Sequence, residues 1–322
     1  MEICADSGLI SVLPIPSHSS REIAVNYSQT RARFPGSDLL IRGGHSCCIL
    51  YGKLYMFGGE RSLKATNALD ILELGSDKWS SVSPRVNQPT QRAFHTAAVY
   101  NDSIIFHGGK DGKTVHRDMY HFHTISMTWS ISPIIVASPS GRFGHSSVVY
   151  KDKLYLFGGT DGNEYFNNLF VFDFIQNEWN YPDVVGTPPT SRAMYGSCLL
   201  ENLWIIHGGI NANSNYLNDF KILNLTNLTW YSLRTHGIPA SPRYGHSVSI
   251  SGPDMIIYGG WGVGGCARMK IFNLENLEWM DSEGGEEPRY GHTANLVGSN
   301  VLIIGGFDGI KISEKIEIIM RN

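Results

Sequence analysis

The chain has 322 residues, a formal net charge of -3 and 17% charged residues. This balance excludes the concentrated basic surface that nucleic acid or an anionic membrane would require. No apolar run approaches the length of a membrane span, and the first residues lack the basic start of a secretory signal. The five cysteines contain no Cys-x-x-Cys pair, so we expect free, buried thiols and a cytoplasmic location.

The first 41 residues do not match the rest of the chain. They contain two candidate strands, residues 9–13 and residues 22–27, on either side of a stretch rich in proline and serine. We assign residues 1–20 to an N-terminal extension and residues 21–322 to the main domain.

From residue 42 onwards a unit of about fifty residues repeats six times. Each unit contains a Gly-Gly pair after a short apolar run, and consecutive pairs lie 46 to 51 residues apart. The pairs are Gly58-Gly59, Gly108-Gly109, Gly158-Gly159, Gly208-Gly209, Gly259-Gly260 and Gly305-Gly306. The units span about residues 42–91, 92–141, 142–191, 192–242, 243–288 and 289–322. Such a period indicates an array of identical structural units.

The first five units show the pattern of four short strands. In the third unit, residues 146–150, 153–157 and 169–174 are apolar or alternating runs, and Trp179 begins a fourth. Tryptophan holds that place in five units, at Trp79, Trp129, Trp179, Trp230 and Trp279. No helical period is evident, so the sequence predicts an all-β array.

The sixth unit ends after its third strand, which would leave an open sheet edge. A strand from the other end of the chain can close it, and two segments compete. We favour residues 22–27, because counting back 13 residues from Arg42, the usual distance from tryptophan to the next arginine, reaches Gln29. The alternative, residues 9–13, would require an unusually long loop.

The Gly-Gly pairs, the tryptophans and the period together resemble the kelch-repeat family. The resemblance implies a six-bladed β-propeller, with each blade a four-stranded antiparallel sheet and the last blade completed by the N-terminal strand. It also implies, for many members, binding to another protein, and we expect the domain to be monomeric.

Every unit opens with an arginine, followed three residues later by histidine, or by tyrosine in the fourth unit. The arginines are Arg42, Arg92, Arg142, Arg192, Arg243 and Arg289. In a kelch-type propeller they would ring one mouth of the central channel. Two interpretations remain open: the guanidinium groups satisfy carbonyls and carboxylates inside the fold, or some of them bind an acidic peptide segment of a partner.

Loop lengths predict which face binds. The turns between strands one and two, and between three and four, are short, whereas the loops after Gly-Gly and between blades are long and varied. We call the face formed by the long loops the long-loop face. Large side chains beside the arginines are Phe94, Phe143, Met194, Tyr244 and Tyr290, and other residues of these loops are Glu60, Lys110, Tyr165, Tyr216, Trp261 and Phe307. The aromatic residues could form an interface centre or simply pack the channel.

No constellation for catalysis, a metal or a cofactor is evident. His121 and His123 share a strand face, with His116 nearby, but no matching carboxylates or thiols accompany them. We therefore expect no cofactor, no metal and no enzyme, but an intracellular module or scaffold that binds proteins. The alternative is a small-molecule or metal-assisted catalytic site at the channel mouth.

Overall fold

The computed structural model describes residues 2–5, 8–11, 27–32, 42–62, 64–76, 78–282, 289–313 and 316–321. Every regular element among them is a β-strand. The strands before the repeats are β1 (Glu2–Ala5), β2 (Gly8–Ser11) and β3 (Tyr27–Ala32). The first unit contains β4 (Ser46–Leu50), β5 (Lys53–Phe57), β6 (Glu60–Arg61), β7 (Lys64–Ala65), β8 (Leu69–Glu73) and β9 (Lys78–Val82).

The remaining units follow the same order. The second contains β10 (Thr96–Tyr100), β11 (Ser103–His107), β12 (Met119–His123) and β13 (Thr128–Ile131). The third contains β14 (Ser146–Tyr150), β15 (Lys153–Phe157), β16 (Leu169–Asp173) and β17 (Glu178–Asn180). The fourth contains β18 (Gly196–Leu200), β19 (Leu203–Ile210), β20 (Tyr216–Asn224) and β21 (Thr229–Leu233).

The fifth unit has short extra strands in its loops. Its strands are β22 (Arg243–Tyr244), β23 (Ser247–Ser251), β24 (Asp254–Tyr258), β25 (Trp261–Gly262), β26 (Gly265–Cys266), β27 (Lys270–Asn273) and β28 (Glu278–Asp281). The sixth contains β29 (Thr293–Val297), β30 (Asn300–Ile304) and β31 (Ile316–Arg321).

The main strands form six antiparallel sheets, one for each repeat unit, which confirms the six-bladed propeller. Blade three is typical: Val148 pairs with Tyr155, Tyr155 with Val171, and Phe172 with Trp179. Because neighbouring strands alternate in direction, the loops after Gly-Gly and between blades emerge together on the long-loop face. The short turns form the opposite face, which we call the short-turn face.

A strand from the N-terminal region completes blade six. Strand β3 pairs with β31 along six residues, from Tyr27 opposite Arg321 to Ala32 opposite Ile316. The segment we expected, residues 22–27, reaches this strand only at Tyr27, and residues 22–26 lie outside the described part of the chain. The count that reached Gln29 identified the middle of the strand, because the repeat spacing constrains the register more tightly than the run of apolar residues does.

The other candidate segment lies elsewhere. Strands β1 and β2 form a hairpin, and β1 pairs with β21 at the outer edge of blade four. That sheet therefore has six strands. Residues that the sequence assigned to an extension outside the propeller thus cover an outer strand edge, which would otherwise present unpaired backbone groups.

The core lies between blades. The fourth-strand tryptophans pack against the residue before Gly-Gly of the preceding blade: Trp129 lies 5.3 Å from Phe57 and Trp230 lies 5.1 Å from Phe157, between ring centroids. These rings supply much of the apolar area that a twisted blade needs to pack against its neighbour. Within the described residues, no helix is long and apolar enough to span a membrane.

Candidate functional site

The four-residue opening segments, from each arginine to the following histidine or tyrosine, meet at the channel mouth. Their third residues are Gly44, Phe94, Gly144, Met194, Gly245 and Gly291, all in the left-handed region with φ between 54° and 67°. Each third residue donates its backbone N–H to the carbonyl of the one in the preceding blade, at 2.6 to 2.8 Å, and Gly44 closes the circle by donating to Gly291. We call these six residues the mouth ring. Its hydrogen bonds link all six blades.

The arginines lie beneath the mouth ring and not on the surface, and each is at most 5% exposed. Each Nη1 donates to the carbonyl of the first glycine in its own blade, for example Arg142 to Gly158 at 3.0 Å. Further acceptors are carboxylates in four blades, as in Arg289 with Glu317 at 2.8 Å. Burial and these internal acceptors favour the first of the two interpretations, in which the guanidinium groups are satisfied inside the fold.

The fourth residues of the opening segments connect neighbouring blades. His95 Nε2 lies 2.8 Å from Ser46 Oγ, and His292 Nε2 lies 2.8 Å from Ser247 Oγ. In blade four, Tyr195 donates its hydroxyl to the carbonyl of Phe157 at 2.6 Å. Burial lowers the pKa of His45 to about 3, with the Arg42 charge as a second cause in the same direction. These imidazoles are therefore neutral structural groups at physiological pH.

The Gly-Gly pairs make room for these segments. Gly59 donates its N–H to the carbonyl of Arg92 in the next blade at 2.8 Å. A Cβ on Gly58 would come within 2.6 Å of that same oxygen, and the φ of Gly58 is +64°. Only glycine allows this approach, so the pair is required by blade-to-blade contact.

A continuous group of aromatic side chains crosses blades four to six on the long-loop face. Ring centroids are 5.5 Å apart for Tyr216 and Tyr244, 6.2 Å for Tyr244 and Tyr290, and 5.6 Å for Tyr290 and Phe307. Trp261 joins at 5.6 Å from Tyr290. All five are partly exposed. We call them the aromatic arc.

On the other side of the mouth, a lysine lies against two phenylalanines. Lys110 Nζ is 4.5 Å from the ring centroid of Phe143 and 5.6 Å from that of Phe94. We call Phe94, Lys110 and Phe143 the lysine cradle. It meets the aromatic arc at blade one, where a Cβ on Gly43 would touch the ring of Phe307 and a Cβ on Gly44 would touch the ring of Phe94.

Comparison with known proteins identifies this arrangement. Residues 44–260 match the family model described as the KLHDC2/KLHL20/DRC7 Kelch-repeats domain. The chain belongs to the kelch-repeat family.

Known proteins, two of them with kelch in their names, align over parts of the propeller. A probable serine/threonine-protein kinase of Dictyostelium discoideum is 36% identical over 92 residues, 27% of this chain and 7% of the relative. Kelch domain-containing protein 1 of Mus musculus is 31% identical over 87 residues, 26% of this chain and 21% of the relative. The Rab9 effector protein with kelch motifs of Xenopus laevis is 29% identical over 83 residues, which are 24% of this chain and 23% of the relative. Each match spans less than a quarter of the relative's own length.

The residues that the sequence suggested for partner binding fall into three groups in the kelch propeller. The arginines are buried; Tyr244, Trp261, Tyr290 and Phe307 come together in the aromatic arc; Phe94 and Phe143 come together around Lys110. Val263 and Ile310, which are 91% and 97% exposed in the same long loops, were missed by sequence reasoning. Aligning the opening segments by position would have shown that Phe94 and Met194 replace the usual glycine.

A pocket of about 140 Å³ lies at the mouth of the kelch channel. It is lined by the third and fourth residues of the opening segments, including His95, His145 and Tyr195. Within the part of the chain that the structure describes, no three His, Cys, Asp or Glu side chains group as metal ligands. His121 and His123 lie 2.8 and 3.0 Å from the hydroxyls of Ser132 and Ser130.

Proposed function

We propose that this kelch propeller is a protein-interaction module that docks a segment of another protein on its long-loop face. The aromatic arc carries the proposal. Partly exposed aromatic rings in contact with one another, on the same face as the exposed Val263 and Ile310, form an apolar surface of the kind found at interface centres.

The size of the channel pocket favours a protein partner over a small molecule. At about 140 Å³ it is well below the roughly 300–1,000 Å³ of typical small-molecule sites. Its histidines also make contacts that hold blades together, such as His95 with Ser46. We therefore infer a binding role and not a catalytic one.

The proposal is tested by comparing captured proteins. Wild-type propeller, a Trp261→Ala/Tyr290→Ala variant and a Tyr51→Ala variant serve as baits for affinity purification from cells that express the protein. Tyr51 is 64% exposed on the short-turn face and is the matched control. We expect the arc variant to lose partners that wild type and Tyr51→Ala retain, with melting temperatures within a few degrees of each other. Retention of the same partners by the arc variant would contradict the proposal.

We also propose that the module acts as a monomer in the cytoplasm. The described thiols Cys47, Cys48 and Cys198 are free, which fits a reducing compartment. Light scattering should give the mass of one 35.7 kDa chain, and a fluorescent fusion should fill the cytoplasm. A dimeric mass or a secreted fusion would contradict this part.

A further inference from the structure

The lysine cradle is a polar feature in an otherwise apolar part of the channel mouth, and the inference drawn from it rests on the proposed docking function. Lys110 is partly buried, and within the described residues its Nζ has no hydrogen bond and no ion pair. Its contacts are the faces of Phe94 and Phe143, which attract a cation without neutralising it. The ammonium group therefore remains available to an anion from outside.

The backbone under the cradle is strained, and the strain is confined to particular blades. In the mouth ring, four blades use glycine, but Phe94 has φ 57° and Met194 has φ 54°. A left-handed conformation is unfavourable for a residue with a side chain, because its Cβ comes too close to the following carbonyl oxygen. Glycine would serve the hydrogen-bonded ring equally well, so the fold alone does not explain why Phe94 is there. Its ring is half of what holds Lys110, and strained residues of this kind cluster at binding sites.

Charges around the cradle favour an acidic partner. The loops after Gly-Gly in blades one and two expose Arg61, Lys64 and Lys113. The carboxylate of Asp111 in the same loops accepts hydrogen bonds from the amides of Lys113 and Thr114. Burial raises the pKa of Glu60, although Lys110 opposes the rise. Within the described residues, neither acid forms an ion pair with Lys110.

We propose that the lysine cradle recognises a carboxylate side chain in the docked partner segment, next to a bulky apolar side chain that lies on the aromatic arc. A single ammonium suits a carboxylate, whereas phosphate recognition usually uses arginine forks or several backbone N–H groups. The six opening arginines cannot supply such forks, because they are buried beneath the mouth ring.

A displayed library of random twelve-residue peptides tests this directly. We expect wild type to enrich peptides with aspartate or glutamate beside a large apolar residue. Lys110→Met should lose the acidic preference and weaken a selected peptide about tenfold. Lys110→Glu should select lysine or arginine instead. Lys151→Met is the matched control: Lys151 is exposed on the short-turn face with its ammonium over the ring of Tyr150, and its removal should leave the selected sequences unchanged.

Phe94→Gly distinguishes an effect on peptide binding from an effect on folding. This variant carries the residue that four other blades use, so its melting temperature should equal or exceed that of wild type while the selected peptide binds more weakly. Lys151→Gly, which relieves a left-handed residue with φ 54° on the short-turn face, should not change binding.

The outcomes distinguish this inference from the docking proposal. Enriched peptides without acidic residues, or an acidic preference that survives Lys110→Glu, would overturn the cradle and leave docking intact. Peptides whose binding is indifferent to Trp261→Ala/Tyr290→Ala would overturn both, as would the absence of any enriched peptide. Replacing the selected acid by phosphoserine should weaken binding; tighter binding would assign the site to phosphate.

Discussion

The first and fourth residues of the opening segments differ from the second and third in almost every respect. Arginine and histidine are buried, repeat in nearly every blade, and contact partners inside the fold. The two residues between them vary, and the large ones are partly exposed: Gly43-Gly44 in blade one, Ala93-Phe94 in blade two, Phe143-Gly144 in blade three. Constancy across the repeat follows from packing that all blades share, whereas the departures lie on the surface that we propose for a partner.

The largest expected loss of stability follows from replacing one of the buried arginines. Arg289→Met should lower the free energy of unfolding by about 3–5 kcal/mol, because it leaves the carboxylate of Glu317 buried without its cation. Urea unfolding followed by tryptophan fluorescence measures the loss.

Arg142→Met is the informative companion. Its side-chain partners are the neutral amide of Asn168 and the hydroxyl of Ser140, so the loss should be about 1–3 kcal/mol. Burial already lowers the pKa of Arg142 to about 10. Equal losses for the two variants would show that the buried carboxylate contributes nothing to the difference.

Gly259→Ala should cost about 2–3 kcal/mol, because the added Cβ would lie 2.3 Å from the carbonyl oxygen of Arg289. Gly298 has nearly the same φ, +61° against +62°, but a Cβ added there would have no neighbouring atom within 4 Å. Gly298→Ala should therefore cost only the left-handed conformation, about 1 kcal/mol. The difference in thermal midpoint isolates the blade-to-blade contact; its absence would argue against a tight junction there.

The buried histidines should make stability depend on pH. Burial lowers the pKa of His107 and His207 to about 3, whereas the unfolded chain takes up these protons near pH 6.5. Stability is therefore complete above about pH 6.5 and is lost as the pH falls towards 3, by at most about 1.4 kcal/mol per pH unit for each histidine.

Blade four supplies the variant that tests this dependence. His95→Tyr places in blade two the residue that blade four has at Tyr195. It should reduce the slope of unfolding free energy against pH by the contribution of one proton, and Tyr195→His should increase the slope by the same amount. Identical slopes in denaturant titrations at several pH values would mean that these imidazoles take up protons in the folded state.

The smallest effect is expected on the exposed side. Met194→Gly should raise the melting temperature slightly or leave it unchanged, since glycine removes a left-handed side chain at φ 54°. Calorimetry measures the shift. A clear loss of stability would show that Met194 packs the mouth and that its departure from glycine serves the fold.

The sequence by itself determined the six units, the four strands in each and the face that carries the long loops. Gly-Gly spacing and strand alternation are local consequences of backbone geometry, so a single chain displays them. The spacing even located Gln29 in the closing strand.

Only the tertiary structure decided which residues at the mouth are buried and which are partly exposed. In the sequence, arginine beside phenylalanine suggests an interface. In the structure, the arginines are buried and donate to carbonyls such as that of Gly158, whereas the neighbouring rings are partly exposed. Nor could spacing show that Lys110 meets rings from two blades. Burial and partner choice depend on which neighbouring blade lies within reach, and that is fixed only when the ring closes.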